Sequence, residues 1–379
     1  MTPPKPRVLL LWHSLSGYWA AAFRALAERA EVTVLVRPPD PLAPYDYDAF
    51  DLGGATLEVA PYPWSFSLLD ELIERTRPDI TCSIGQSVPL WRALRRARHR
   101  HHTTTVMFTD NMWLGRPRQR VLQVLFVPLR HLVFDKAYVP GARATEYVHR
   151  LGFPDGAVLP GSLTLDAAPF TAVAEGSVER WTEPRFLFCG RLVPDKAPDV
   201  MAEAYRLYRE SSADPWPLQV VGHGPFDGGL RGMPGVTLSD FVQPEALPDI
   251  YAAAGALVLP SRYDSWGVVA LEACAAGLPV VISDGCGAAE EMVTPDNGFT
   301  VSGGDPSSLA GALTTVAAAS TDQRRLWGRK SSDIAGSYRP DRWADTLLSA
   351  PSWNGLSVEG VLTTTDVFAT SQASGESHP

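Results

Sequence analysis

Short apolar runs of four to six residues recur along this chain, none of them alternates with period two, and helical patterns fall between them. A strand covered on both faces has no solvent side to alternate towards, so such runs specify parallel sheets with helices packed on either face. In the first half, residues 8–12, 32–36, 80–84 and 104–108 read as strands, with helices over 20–29 and 88–98. In the second half the strands are 186–189, 218–221, 256–259 and 280–283, with helices at about 197–210, 244–254, 266–276 and 306–319. A chain of 379 residues supports two such units, each with its own core. The Ala-, Pro-, Thr- and Glu-rich stretch 160–185 reads as the hinge, giving domains over 1–170 and 171–338. Within 339–350 a helix at 342–348, with Trp343 on its apolar side, is expected to cross back to the first domain. From 351 to 379 the composition is too polar to pack, and a disordered tail is expected.

Several function classes drop out early. No stretch approaches the roughly 20 apolar residues that span a bilayer, and the run after Arg7 is too short for a signal-peptide core. It reads better as a buried strand. Cys82, Cys189, Cys274 and Cys286 are far apart and form no metal-ligand or redox spacing; three of them sit in apolar or Gly-rich surroundings that suit free buried thiols, and a cytoplasmic protein is expected. Net charge is −9 but uneven: residues 1–170 hold 19 Lys/Arg against 16 Asp/Glu, and the rest hold 14 against 26. Two surfaces with different partners are implied.

The chemistry concentrates between Leu259 and Val281. A strand ends at Pro260, a loop carries Asp264, and a helix is expected from near Ser265. Ligands of parallel sheets bind where strand ends lead into helix N-termini, and the free N–H groups near Trp266, Gly267 and Val268 make a ready phosphate site. Asp264 and Glu272, eight residues apart, then flank an anion site with a carboxylate on either side. That suits a ligand with hydroxyls on both sides of a diphosphate, as in a nucleotide sugar. Taken alone, Asp264 reads equally as a helix N-cap and Glu272 as a solvated helix residue. A second strand-to-loop element, 186–196, ends in Arg191 and Lys196, a fork and a point charge suited to a diphosphate or simply two solvated cations. Gly222-His223-Gly224-Pro225 is a tight turn that lacks the rest of a dinucleotide fingerprint. In the first half Gly17 and the strand-end pair Thr109-Asp110 stand where a ligand or polar catalytic group would sit, although either is also an ordinary loop.

Taken together, residues 186–320 resemble the C-terminal domain of glycosyltransferase family 4, retaining enzymes of the GT-B fold. The resemblance lies in an ordered set: Gly190-Arg191 with Lys196, Gly222-x-Gly224-Pro225, Pro260-Ser261, Asp264-x-Trp266-Gly267, Leu271-Glu272-Ala273, Gly277 with Pro279-Val280-Val281, Gly287 with Glu291, and Asn297-Gly298. It covers about a third of the chain; the first half resembles the family more loosely. The resemblance implies an α/β GT-B fold, two Rossmann-like doubly wound domains facing a cleft. It implies that Arg191 and Lys196 hold the donor diphosphate, that Asp264 meets hydroxyls of the transferred sugar, and that Glu272 holds the ribose. Gly267 and Val268 would offer backbone N–H groups, Val242 backbone contacts to the base, and Gly17 a close approach from the first domain. Two departures stand out. Asp264 occupies the place of the family's first glutamate, and Thr109-Asp110 replaces a histidine-containing pair, with Asp110 as the catalytic candidate there.

The implied reaction moves a glycosyl unit with retention from a nucleotide diphosphate sugar, UDP or GDP first among donors, to an acceptor hydroxyl. No metal or other cofactor is expected, the cations and helix N–H groups supplying the positive charge. The acceptor class stays open between a glycolipid, a polysaccharide intermediate and a small natural product. Residues 92–136 hold ten Lys/Arg against Asp110 and Asp135, with apolar residues along 121–134. This is either a surface for an anionic membrane or a solvated helix face over core. No nucleic-acid partner is expected. The rivals are a nucleotide-binding oxidoreductase, for which residues 12–17 lack the glycine turn, a sugar-nucleotide epimerase or hydrolase of the same fold, and a non-catalytic nucleotide-sugar binder.

Overall fold

A computed structural model describes residues 4–84 and 87–350 of the chain; the expected tail lies outside the described residues. The first half carries a seven-stranded sheet built from β1 (Arg7–Trp12), β2 (Glu31–Val36), β3 (Thr56–Val59), β4 (Ile80–Ile84), β5 (Thr104–Phe108), β6 (Lys136–Pro140) and β7 (Val158–Gly161). Its order is β3-β2-β1-β4-β5-β6-β7, all neighbours parallel. The second half carries β8 (Phe186–Cys189), β9 (Leu218–Val221), β10 (Val236–Ser239), β11 (Ala256–Leu259), β12 (Val280–Ser283) and β13 (Gly298–Val301), ordered β10-β9-β8-β11-β12-β13 and again all parallel. Each sheet reverses its strand order once, between β1 and β4 in the first and between β8 and β11 in the second. Loops leaving the two strands at such a reversal diverge to opposite faces and open a crevice at the carboxyl edge.

The apolar runs do what their composition demands. Every residue of β5, β8, β11 and β12 is buried, and helices cover both faces. One hydrophobic cluster runs through both halves, joining Leu10, Trp12 and Phe23 to Leu187, Leu257, Trp266 and Leu271. Separate clusters lie behind each sheet.

The 160–185 stretch is not a bare hinge. It finishes β7 and then forms the helix Ala168–Gly176 and the short helix Glu179–Thr182. Arg180 is buried there and donates to the carbonyls of Ala252 and Ala276, both at 2.8 Å. The chain's two crossings between halves lie side by side: Leu165 N–H donates to Tyr338 O at 3.0 Å, and the Thr164 hydroxyl to the same oxygen at 3.2 Å. Beyond the return, the helix Pro340–Leu348 packs on the helix Gly17–Ala27 of the first half. Trp343 is fully enclosed by Trp12, Trp19, Phe23 and Tyr138 at centroid distances of 6.3, 5.8, 6.0 and 5.8 Å.

Candidate functional site

The two loops at the reversal of the second sheet, one after β8 and one after β11, carry the cations and the acid picked out from the sequence. Lys196 Nζ is ion-paired with Asp264 Oδ2, both side chains largely withdrawn from water. Arg191, on the same loop as Lys196, points the other way, to within 3.9 Å of Asp40 in the first half. The loop after β11 is laced to the one after β12: Asp264 N–H donates to Gly285 O and Gly287 N–H to Asp264 O, each at 3.0 Å. A Cβ on Gly285 would lie 2.5 Å from Ser261 O and one on Gly287 2.2 Å from Ser265 O, so this lacing requires glycine. Asp264 therefore sits on a rigid double loop.

The helix does not begin near Ser265. It spans Val268–Ala275, and its N-cap is Gly267 in the left-handed region (φ 96°), with no side-chain cap. Asp264 is accordingly no N-cap; its carboxylate stands beyond the helix end, facing Lys196. Ala270 N–H already donates to Gly267 O at 2.9 Å, which leaves the N–H groups of Val268 and Val269 at the helix end without a carbonyl of their own helix, the basis of anion binding at such ends. Glu272, one turn further, is not a solvated residue. Its Oε2 accepts from the Tyr251 hydroxyl at 2.7 Å, and burial pushes its carboxyl up to about 7.

The first half meets this edge from the opposite side. Asp110, just beyond β5, is enclosed enough that burial pushes its carboxyl up to about 6; neighbouring Asp264 raises it further, while Lys196 and Ser265 act in the opposite direction. Thr109 beside it is buried and its hydroxyl accepts from the Asn111 amide at 3.0 Å. Gly17 is the first residue of its helix rather than part of a loop, and a Cβ there would meet Pro244 of the second half at 3.1 Å. Val242 is half-buried against the shared core, between Phe241 and Gln243. Thus Asp110, Asp264, Lys196, Gly267, Val268 and Glu272 come together at one cleft, Gly17 lines the cavity beside it, Val242 packs on the shared core next to Gln243, and Arg191 is turned towards Asp40. The Gly222–Gly224 turn is structural: Cβ atoms there would strike Gly190 O at 1.9 Å and Leu192 O at 2.1 Å.

Two cleft residues escaped sequence reasoning, Tyr18 and Tyr45, as did the buried Tyr251 that supports a cleft acid. Burial raises the phenol of Tyr18, and Asp110, Glu272 and Asp264 around it add to the rise. Tyr45 and Tyr18 line, with Glu272 and Val268, a cavity of about 370 Å³ between the halves. Tyr251 is fully buried beneath Glu272. Only Tyr18 had a usable signal, its place directly after Gly17. Among the described residues no group of three or more His, Cys, Asp or Glu side chains is placed to hold a metal ion, all four cysteines are buried and free, and no helix is long and apolar enough to cross a membrane.

The basic segment divides on inspection. Arg96, Arg98 and Arg100 are paired with Asp70, Asp135 and Glu74, and Arg92 and Arg130 lie over the rings of Phe66 and Phe153. The apolar residues divide too: Phe126, Val133 and Phe134 are core, whereas Val121, Val124 and Leu125 are 59%, 74% and 60% exposed. They lie on the helix Pro117–Phe126 at i, i+3 and i+4, an apolar stripe facing outwards beside Arg116, Arg118 and Arg120. The Arg116 guanidinium lies over the ring of Tyr263, next to Asp264, at 5.3 Å.

Comparison with known proteins agrees with this architecture. Residues 183–318 match the family described as glycosyl transferases group 1. The chain is 34% identical over 180 residues to a D-inositol 3-phosphate glycosyltransferase of Geodermatophilus obscurus, covering 43% of this chain and 39% of that protein. It is 36% identical over 143 residues to the Streptomyces avermitilis protein of the same name, covering 34% and 31%. The chain thus spans less than half the length of these curated relatives. Among solved structures, Anabaena Alr3699/HepE in complex with UDP and glucose matches with a TM-score of 0.69 at 16% identity, over 91% of this chain and 98% of that one. Sucrose-phosphate synthase from Thermosynechococcus elongatus matches at 0.67 and 18% identity, over 90% and 97%. The fold is GT-B: two Rossmann-like α/β halves facing a cleft.

Proposed function

We propose that this chain is a retaining glycosyltransferase of the family 4 kind, transferring a sugar from a nucleotide diphosphate sugar to an acceptor hydroxyl. The observation that carries the reading is the meeting, at the strand-order reversal of the second sheet, of the Lys196–Asp264 pair, the left-handed Gly267 helix entry and the enclosed Glu272. In this reading Lys196 and Arg191 hold the diphosphate and stabilise charge on the leaving nucleotide, with the N–H groups of Gly267 and Val268 completing the anion site. Asp264 grips the sugar, Glu272 the ribose, the Val242 backbone the base, and Gly17 brings the first half close. Asp110, from the opposite sheet, positions the acceptor hydroxyl, and the departing phosphate takes its proton as the new glycosidic bond forms on the same face. The reading assigns the charge stabilisation to these side chains and N–H groups without a metal.

UDP is the first donor base to test, because the similar Anabaena protein was solved with UDP, with UDP and glucose, and with UDP-glucose. The outward stripe at Val121, Val124 and Leu125, close to the cleft through Arg116, supports an acceptor met at an anionic membrane surface.

A thermal-shift panel of UDP-, GDP-, dTDP- and ADP-sugars, with both products assayed, tests the activity. Transfer to an acceptor supports the proposal; donor hydrolysis or epimerisation alone, or binding with no turnover, replaces it by the corresponding rival. Lys196→Ala should lower turnover by roughly 100- to 1000-fold, the usual loss on removing one stabiliser of developing charge. Full activity in that variant would remove Lys196 from the site.

A further inference from the structure

The connection between β2 and β3 leaves its own sheet and lies against the second half. Gln243 holds it from both ends of one amide: Nε2 donates to Pro44 O at 3.0 Å, and Oε1 accepts from Asp46 N–H at 3.3 Å. Between those two anchor points stands Tyr45, its ring meeting Phe241 edge-on at 5.2 Å and 83°. Earlier in the same segment, Asp40 reaches towards Arg191. On its inner side Tyr45 borders the 370 Å³ cavity together with Tyr18, Phe50, Pro244, Val268 and Glu272. The Glu272 carboxyl thus stands on one side of that cavity and the Tyr18, Tyr45 and Phe50 rings come from the first half of the molecule, in a lining that also includes Arg24, Asp51, Asp166 and Glu245.

We propose that Tyr45 is the wall against which the donor's base rests, and that Gln243 fixes it there, so that the nucleoside subsite is completed only by both halves together. The inference rests on the donor reading above, in which Glu272 takes the ribose. A nucleoside has one edge of hydroxyls and one flat heteroaromatic body. The end of this cavity between Glu272 and the Tyr18, Tyr45 and Phe50 rings matches that division, while Arg24, Asp51, Asp166 and Glu245 also line it. A tyrosine ring has few torsions to freeze, so it offers a large flat surface at small entropic cost. The clasp has a matching logic: one side-chain amide satisfies the backbone on either side of Tyr45, which fixes the segment without filling the cavity.

The test is calorimetric titration of the full chain with UDP, GDP, dTDP and ADP, and with ribose 5-diphosphate as a probe without a base. Wild type, Tyr45→Phe, Tyr45→Ala, Gln243→Ala and Glu272→Gln are compared, with melting curves to confirm folding. Removing an aromatic side chain on which a base rests weakens single-strand recognition by roughly 5- to 150-fold. Tyr45→Ala should therefore bind the preferred nucleotide at least about tenfold more weakly, Tyr45→Phe within about twofold of wild type, and ribose 5-diphosphate should bind all three alike. Gln243→Ala, which leaves the ring intact, should lose about threefold. Wild-type nucleotide affinity in Tyr45→Ala, with affinity lost in Glu272→Gln, overturns the wall while the donor reading stands. An equal loss of ribose 5-diphosphate binding in Tyr45→Ala also overturns it, because the effect would then be on the fold of the segment. No nucleotide binding by wild type overturns both readings.

Discussion

A carboxyl group enclosed as Glu272 is holds its proton more tightly in the folded chain than in the unfolded one. Burial moves it from 4.5 to about 7, and moves Asp110 from 3.8 to about 6. With folded values raised, the favourable contribution of each proton is fully present below the ordinary carboxylate range and is lost as pH rises through the folded value. Glu272 as a carboxylate at pH 8 is accordingly a burden on the fold, of order 1–3 kcal/mol. Glu272→Gln keeps the shape and an acceptor for the Tyr251 hydroxyl but cannot ionise. It should melt above wild type at pH 8 by about 2–6 °C and no differently near pH 4.5. The same substitution should weaken nucleotide binding, since a hydrogen bond to a charged group is worth about 1.5–3 kcal/mol. A gain in stability with a loss of binding marks a residue kept for its ligand. If Glu272→Gln melts lower at pH 8 and binds nucleotide as wild type does, the acid is structural and its assignment to the ribose fails.

At the level of elements, eight strands read as buried apolar runs are present, and five that were not read are β3, β6, β7, β10 and β13. Four of these are the outermost strands of the two sheets. An edge strand is buried on fewer sides, so Thr56–Val59, Val158–Gly161, Val236–Ser239 and Gly298–Val301 mix Thr, Ser, Glu, Pro and Gly into short runs that carry no continuous apolar signal. β6 was hidden for another reason: Lys136–Pro140 directly follows the basic stretch whose charge dominated its neighbourhood. The site was legible wherever one loop carries it, as from Asp264 to Glu272. It was illegible where contact is made across the cleft, because nothing local to Tyr45 or Asp40 announces the facing half. The helix Pro117–Phe126 is the element on which such illegibility matters most. Its apolar residues at 121, 124 and 125 fit an outward surface and a core equally well in sequence, and the structure exposes them beside three arginines. Surface binding that combines buried apolar area with basic charge depends on both lipid charge and salt. Full-length protein should float with vesicles containing anionic phosphatidylglycerol at low salt and much less with phosphatidylcholine alone. Val124→Asp, at an exposed position, should abolish flotation while leaving the melting temperature within a degree or so. Absence of lipid-charge dependence in wild type would point to an acceptor free in solution.

The halves of the molecule are tied at several places, most of them gathered around Tyr338 and the helix that follows it, and their arrangement decides how the cleft behaves. Adjacent crossings at Leu165 and Tyr338 form one edge. A second tie is Arg143, which donates to Glu290 and to Asp284 O at 2.8 Å each, near where Glu291 rests against Gly141 and accepts from the Tyr338 hydroxyl. The Gln243 clasp on the Tyr45 segment is a third. The largest tie is the helix Pro340–Leu348, covalently the end of the second half yet packed on the first, with Trp343 at its centre. Since one hydrophobic cluster spans both halves, wild type should unfold in a single calorimetric transition despite its two sheets. Removing the Trp343 side chain deletes a fully buried ring from a set of aromatic contacts, a change that costs about 3–5 kcal/mol in protein cores. Most of that cost falls on the docking of the helix, because neither sheet contains Trp343. Trp343→Ala should therefore split the transition in two, the lower belonging to a half released from its partner. Saturating nucleotide should draw the two back together if the donor is bound jointly, because ligand that binds only the assembled cleft stabilises that assembly by mass action. A single transition merely shifted downwards, unresponsive to nucleotide, would mean that the helix supports the first half alone and has no part in holding the cleft.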